Sequence, residues 1–154
     1  MTERIWTVYL SGEIHTDWRE QIEDGAKKAG LPIEFVSPVT VHEDSDDCAV
    51  AILGEAPSDF WKDQMGSRMN AIRTRNLIEA ADIAVVRFGD KYRQWNAAFD
   101  AGFCAAMGTP YVTLHDEAVN HALKEVDGAA QAVARTPDQV VKILKYTLSG
   151  VLDR

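Results

Sequence analysis

Asp100 interrupts an otherwise small and apolar run, Ala97-Ala98-Phe99-Asp100-Ala101-Gly102-Phe103-Cys104. Asn96 stands four residues before it and so shares its helix face. Gly102 allows another backbone or a ligand to come close. A carboxylate half-sheltered in such a helix can attack an electrophilic carbon or hold a proton. The plainer reading is a carboxylate in the N-terminal half of a helix, favoured there by about 0.3–1 kcal/mol. The preceding residues weigh toward chemistry. An apolar strand, Ile83–Arg87, runs into the polar-aromatic loop Lys91-Tyr92-Arg93-Gln94-Trp95-Asn96, and loops at the carboxyl ends of parallel strands are where open α/β sheets bind small molecules. Trp95 and Tyr92 can sandwich a planar base, and the Gln94 and Asn96 amides can read its edge. Trp95 could equally plug the core.

A second loop, Gly12-Glu13-Ile14-His15-Thr16, follows the first strand and opens on the same edge of the sheet. In an extended chain Glu13 and His15 point one way and Ile14 the other. Trp18 and Arg19 follow on the first turn of a helix. One short stretch thus offers an acid, an imidazole, a stacking surface and a cation. Packing is the simple alternative for Trp18, and a salt bridge to Arg19 or plain solvation is the alternative for Glu13. Convergence of the two loops on Asp100 is the expectation.

Other chemistries lack their residues. From Asp44, Asp46 and Glu55 fall at the third and twelfth places of a calcium loop, but Ala49 stands where that loop needs glycine. His15, His42, His115 and His121 show no zinc spacing. Nicotinamide and P-loop glycine motifs are missing, and so is the phosphate loop an FMN binder would carry after strand one; no cofactor and no metal are expected. Cys48 and Cys104 form no CxxC pair, and Cys104 reads as core. A formal net charge of −8 over 154 residues argues against broad nucleic-acid or anionic-membrane binding. The stretch Met1-Thr2-Glu3-Arg4-Ile5-Trp6 does not resemble a signal peptide, and no run approaches the roughly 20 apolar residues of a membrane helix. These features predict a cytoplasmic protein.

The elements that must position these residues follow from punctuation. At 46% hydrophobic and 26% charged, the chain suits one globular domain over residues 1–154. Strands are predicted at Ile5–Leu10, Ile33–Val36, Ile83–Arg87, Tyr111–Leu114 and Gln131–Ala134. Asp17 with Glu20 looks like a capping box opening the first helix, and Gly30 and Pro32 end it. Val39–Phe60 reads as a long polar loop with one helical turn near Ala49–Leu53, a flap or interface. Trp61–Ala80 is helical with Met69, Ile72, Leu77 and Ile78 inward. A helix over Gln94–Met107 ends at Gly108. His115–Asp127 holds one or two helical turns. Thr136-Pro137 open a final helix that turns Val140, Val141, Leu144 and Leu148 inward. Strands alternating with helices imply an α/β, flavodoxin-like three-layer sandwich, a five-stranded parallel sheet of order 2-1-3-4-5 with helices on both faces.

Taken together, Tyr9-Leu10-Ser11-Gly12, Ala81-Asp82, Asp100-x-Gly102 and Gly108-x-Pro110 resemble the nucleoside 2-deoxyribosyltransferase superfamily. Gly12-Glu13-Ile14-His15, Trp18-Arg19, Arg73-Thr74 and Phe88-Gly89-x-Lys91-Tyr92-x-Gln94-Trp95-Asn96 resemble its YtoQ-type branch. The resemblance spans nearly the whole chain. It implies a flavodoxin-like scaffold, homo-oligomers in which neighbouring subunits complete the pocket, and a helix carboxylate that attacks the anomeric carbon of a (deoxy)nucleoside. Asp100 falls where the family places a nucleophilic Glu, one methylene longer. Two further family carboxylates are replaced, one by Thr74 beside Arg73 and one by Gln94, so the resemblance leaves the acid role to Glu13 or His15. In nucleotide-hydrolysing relatives the first loop cradles a 5′-phosphate; here Glu13 would repel one unless His15, Arg19 or Arg73 offsets it.

The expected function is hydrolysis or transfer at the N-glycosidic bond of a nucleoside-like small molecule. Asp100 and Glu13 are the expected catalytic pair, and Gly12, His15, Trp18, Arg19, Arg73, Asp82, Tyr92, Gln94, Trp95 and Asn96 the expected substrate contacts. A carboxylate separation of about 5–5.5 Å would suit double displacement and ~6.5–9.5 Å direct water attack. The alternative is a non-catalytic nucleoside-binding or sensing domain that kept the pocket.

Overall fold

A computed structural model describes residues 3–154; Met1 and Thr2, the head of the N-terminal stretch read above, lie outside the described residues. The elements are β1 (Trp6–Gly12), α1 (Trp18–Lys28), β2 (Ile33–Val36), α2 (His42–Leu53), α3 (Asp59–Ala80), β3 (Ile83–Arg87), α4 (Trp95–Met107), β4 (Tyr111–Leu114), a 3-10 turn (Glu117–Val119), α5 (Lys124–Ala129), β5 (Ala132–Ala134) and α6 (Pro137–Ser149). The strands form one parallel sheet in the order β2-β1-β3-β4-β5, as the alternation of strand and helix predicts.

Alternation along β1 divides the core between two faces. Val8 and Leu10 join Val85, Val112 and Leu114 beneath α1 and α6, which contribute Trp18, Ile22, Val140, Val141 and Leu144. Tyr9 joins Ala84, Val86 and Tyr111 on the opposite face, under Ile78 of α3 and Ala97, Ala101 and Cys104 of α4. Each large apolar side chain taken fully out of water there contributes about 1.5–3 kcal/mol. Thr136 accepts from the Gln139 amide at 3.2 Å and Pro137 opens α6, as expected. Beyond β4, the fully buried His115 sets Nε2 2.9 Å from both Asp127 carboxylate oxygens, and Thr113 donates to the same carboxylate at 2.8 Å, tying β4 to the helical segment after it.

Four local expectations are corrected. β1 runs on through Ser11 and Gly12, because pairing with β3 continues to Gly12 opposite Arg87. Asp17 makes no side-chain cap; its carboxylate accepts instead from Gln21 Nε2 at 2.8 Å. Most of the supposed polar loop before Phe60 is the helix α2, packed on α3 as a hairpin that buries Ala49 and Gly66. Its first turn carries Glu43 and Asp44, which suit the positive end of a helix. Ile72, expected inward, is exposed, since α3 lays only part of its length on the sheet.

Candidate active site

The carboxyl end of β1 builds the site. Tyr9 and Ser11, two residues apart, face α4. Ser11 is fully buried and its hydroxyl donates to Asp100 Oδ2 at 2.6 Å. Among the described residues no hydrogen bond engages Asp100 Oδ1. Burial pushes the Asp100 carboxyl above its ordinary range, and the Ser11 hydroxyl works against that rise. The Tyr9 hydroxyl is buried beside it with no hydrogen-bond partner among the described residues. Burial first, and the Asp100 charge second, raise its proton affinity, while Thr74 on α3 approaches the same hydroxyl without an aligned bond. Cys104, one turn beyond Asp100, is buried and its thiol is pushed up to about 11, so it stays protonated core, as expected.

Gly12 is needed as glycine. Its φ is +114°, and a Cβ there would lie 2.1 Å from the Arg87 carbonyl oxygen. The chain then turns into Glu13, only 3% exposed. The Glu13 carboxylate closes its own loop, accepting from the His15 amide, the Thr16 amide at 2.8 Å and the Thr16 hydroxyl at 2.6 Å. Its Cγ packs so tightly over Gly89 that a Cβ there would meet it at 2.7 Å. A free acid at Glu13 is therefore not what the structure shows: its carboxylate is held by its own loop and its side chain packs against Gly89.

Trp18 and Arg19 also differ from expectation. Trp18 is 3% exposed within the α1–α6 layer, across the sheet from Asp100, and its indole donates to the Glu13 carbonyl at 2.7 Å. Arg19 donates to the Leu10, Gly12 and Glu13 carbonyls at 2.7–3.2 Å. β2 ends at Val36, opposite Tyr9, so the Leu10 and Gly12 carbonyls outrun their neighbouring strand; Arg19 satisfies them in its place. Asp82 precedes β3 and lies at the amino edge of the sheet, bonded to the Thr7 amide at 2.9 Å and to Arg4 at 2.6 Å, at the far end from Asp100.

The other expected residues lie at the carboxyl edge. Gln94 spends its carbonyl on the Gly89 amide at 2.9 Å and so shapes the β3–α4 loop. The His15 and Tyr92 rings meet at a tilt of 52° with centroids 4.9 Å apart. Trp95 and Asn96 are exposed; at 72% exposure Trp95 does not plug the core. Arg73 reaches the Ser37 carbonyl, just past β2, at 3.2 Å. The arrangement offers a half-buried carboxylate with one uncommitted oxygen, flanked by two hydroxyls, with Asn96 one turn earlier on the same helix. Sequence reasoning passed over Ser11 and the Tyr9 hydroxyl. The signal available was a serine in an otherwise apolar central strand, two residues from a tyrosine.

A carboxylate on the helix after β3, at the switch point of a 2-1-3-4-5 parallel sheet, lies where flavodoxin-like α/β folds bind their ligands. Residues 9–148 match the family described as nucleoside 2-deoxyribosyltransferase YtoQ. The uncharacterized protein YtoQ of Bacillus subtilis (strain 168) is 41% identical over 139 residues, covering 90% of this chain and 94% of that protein. The chain belongs to the YtoQ family of nucleoside 2-deoxyribosyltransferase-like proteins. Among solved structures, a conserved protein from Enterococcus faecalis V583 superposes with a TM-score of 0.65 at 14% identity, over 94% of this chain and 99% of that one. The 2-deoxyribosyltransferase of Bacillus psychrosaccharolyticus superposes with a TM-score of 0.55 at 18% identity, over 88% and 90%. These two likenesses establish the fold. Among the described residues no helix is long and apolar enough to cross a membrane.

Proposed function

We propose that this protein cleaves or transfers the N-glycosidic bond of a (deoxy)nucleoside or related N-glycoside, with Asp100 as nucleophile. The observation that carries the reading is the Asp100 carboxylate, held through Oδ2 by Ser11 with Oδ1 uncommitted, at the carboxyl end of the two central strands. Oδ1 attacks the anomeric carbon and forms an ester to the sugar. The C1′–N bond breaks, its electron pair goes to the base, and the base takes up one proton. Water or a second base then attacks the same carbon and releases Asp100. His15, exposed on the β1–α1 loop against Tyr92, supplies the proton. Glu13 acts through the shape of that loop.

Tyr92, Gln94, Trp95 and Asn96 form the base-binding rim, and Arg73 closes the β2 side. The rim is open in one chain, with Trp95 72% and Phe99 78% exposed on the flank of α4. A second copy covering this flank completes the pocket, with exposed Phe60, Trp61 and Ile72 of α3 as further contacts. The protein works in the cytoplasm, without metal or cofactor.

A panel of nucleosides and deoxynucleosides, assayed by chromatography for released base, tests the reading. A 2-deoxy-2-fluoro nucleoside should add one sugar mass to wild type and none to Asp100→Asn. No Asp100-dependent release and no adduct would refute it. The full commitment of Glu13 and the loop-shaping role of Gln94 favour a second reading, a nucleoside-binding domain without turnover. It requires a nucleoside to raise the melting temperature while remaining intact.

A further inference from the structure

We infer that Ser11 is the positioning residue that makes the shorter acid at position 100 workable, by gripping one Asp100 oxygen through its buried hydroxyl and so fixing which oxygen attacks. The inference rests on the reading of Asp100 as nucleophile.

Ser11 sits in a central strand, paired with Val86 on β3, and is wholly removed from solvent. The neighbouring strand positions Val8, Tyr9 and Leu10 are equally buried, and packing alone would favour Ala or Val at position 11. A hydroxyl buried there is costly unless bonded. Its bond at 2.6 Å to Oδ2 is in the range of charge-assisted O–H···O⁻ bonds, which are about twice as strong as neutral ones. Two consequences follow. Rotation of the carboxylate is stopped with Oδ2 toward β1, so Oδ1 is presented to the ligand side. The bond also favours the charged carboxylate that attacks, against the burial that favours the neutral one. Aspartate has one rotatable bond fewer than glutamate, so a single donor suffices to fix it.

The test reads the carboxyl directly. In full-length protein labelled with ¹³C at the aspartate carboxyls, Asp100→Asn identifies the Asp100 signal by its loss. Its titration midpoint is then followed in wild type, Ser11→Ala, Ser11→Cys and Ser11→Thr. Loss of the hydroxyl in Ser11→Ala should raise the midpoint by about one pH unit, a tenfold change in proton affinity. Ser11→Cys, with a weak donor of similar size, should move it the same way, and Ser11→Thr should restore it. With a turned-over nucleoside, Ser11→Ala should lower kcat with KM little changed, and the acidic limb of the rate profile should move up with the midpoint. A merely structural tie between β1 and α4 would lower Tm in Ser11→Ala and leave the midpoint in place, and that result would overturn the inference. So would a Ser11→Thr midpoint equal to that of Ser11→Ala. If Ser11→Ala does not fold, Ser11→Cys against Ser11→Thr gives the same comparison. A shifted midpoint in a protein that never turns over a nucleoside would refute the proposed function and leave the Ser11–Asp100 coupling standing.

Discussion

Glu13 separates two ways in which an acid can matter, and Glu13→Gln distinguishes them. The carboxylate accepts two backbone amides and the Thr16 hydroxyl, and its own methylenes press on Gly89. Thr16 is exposed, so its hydroxyl finds water when the carboxylate goes, and little is lost there. Two part-buried amide bonds to a charged acceptor contribute about 1–1.5 kcal/mol each, at the lower end for charged bonds because water reaches them. Removing the Cγ methylene from its packed position on Gly89 costs roughly 1 kcal/mol more. Glu13→Ala should therefore lose about 3–4 kcal/mol in urea unfolding, which in a domain of this size lowers Tm by roughly 6–15 °C. Glutamine can keep both amide bonds on its carbonyl oxygen and donate its NH₂ to the Thr16 hydroxyl, so Glu13→Gln should cost about 1 kcal/mol or less. Activity in Glu13→Gln should stay within a few-fold of wild type. A general acid or base replaced by an amide loses about 10²–10⁴-fold. A Glu13→Gln protein of nearly native stability with kcat down a hundredfold or more would refute the loop-organising role and return Glu13 to the chemistry.

Burial raises the Asp100 carboxyl, so the folded protein holds a proton there at pH values where the unfolded chain does not. Stability then falls as pH rises from the unfolded toward the folded value. Asp100→Asn should be more stable than wild type above that window by differential calorimetry, with the gain vanishing below pH ~3.5; no gain at neutral pH would contradict this. In the same window kcat/KM should rise with pH, with its acidic midpoint above ordinary aspartate. Gly12→Ala should destabilise by more than ~3 kcal/mol or fail to fold, as measured by circular dichroism and urea melts, because its Cβ would overlap the Arg87 carbonyl at positive φ. Phe99→Asp should reduce the mass seen by light scattering to that of one chain and abolish turnover together; a wild-type mass of one chain would remove the shared-pocket proposal.

The fold was legible because its strands are short apolar runs marked off by turn residues, Ser-Gly at the end of β1, Ser-Pro and Phe-Gly after β2 and β3, and Gly-Thr-Pro before β4. α2 was not, because a hairpin helix that buries one alanine leaves almost no apolar stripe to read. In the site, Asp100 was visible as the one charge in an apolar helix. Glu13, Trp18 and Arg19 were misplaced for a single reason: a sequence shows that a loop carries polar groups, but not that its own amides and carbonyls will claim them. Asp82 was misplaced because a residue just before a strand lies at the edge opposite to one just after it. Ser11 and Tyr9 were passed over because their alternation matches ordinary strand burial, and only the packing of α4 over β1 reveals their polar ends as neighbours of a carboxylate.

Arg19 has a bearing on how this family can diversify. By standing in for the missing continuation of β2, it lets the chain leave β1 on a fixed footing whatever the residues at the crest of the loop are. Ile14 and the His15 side chain are then free to change with little penalty to folding, while Gly12, Glu13, Trp18 and Arg19 are not. Under the proposed function this pair is a two-residue cassette above a rigid plinth, and libraries there should shift base preference through Ile14 and the protonation step through His15.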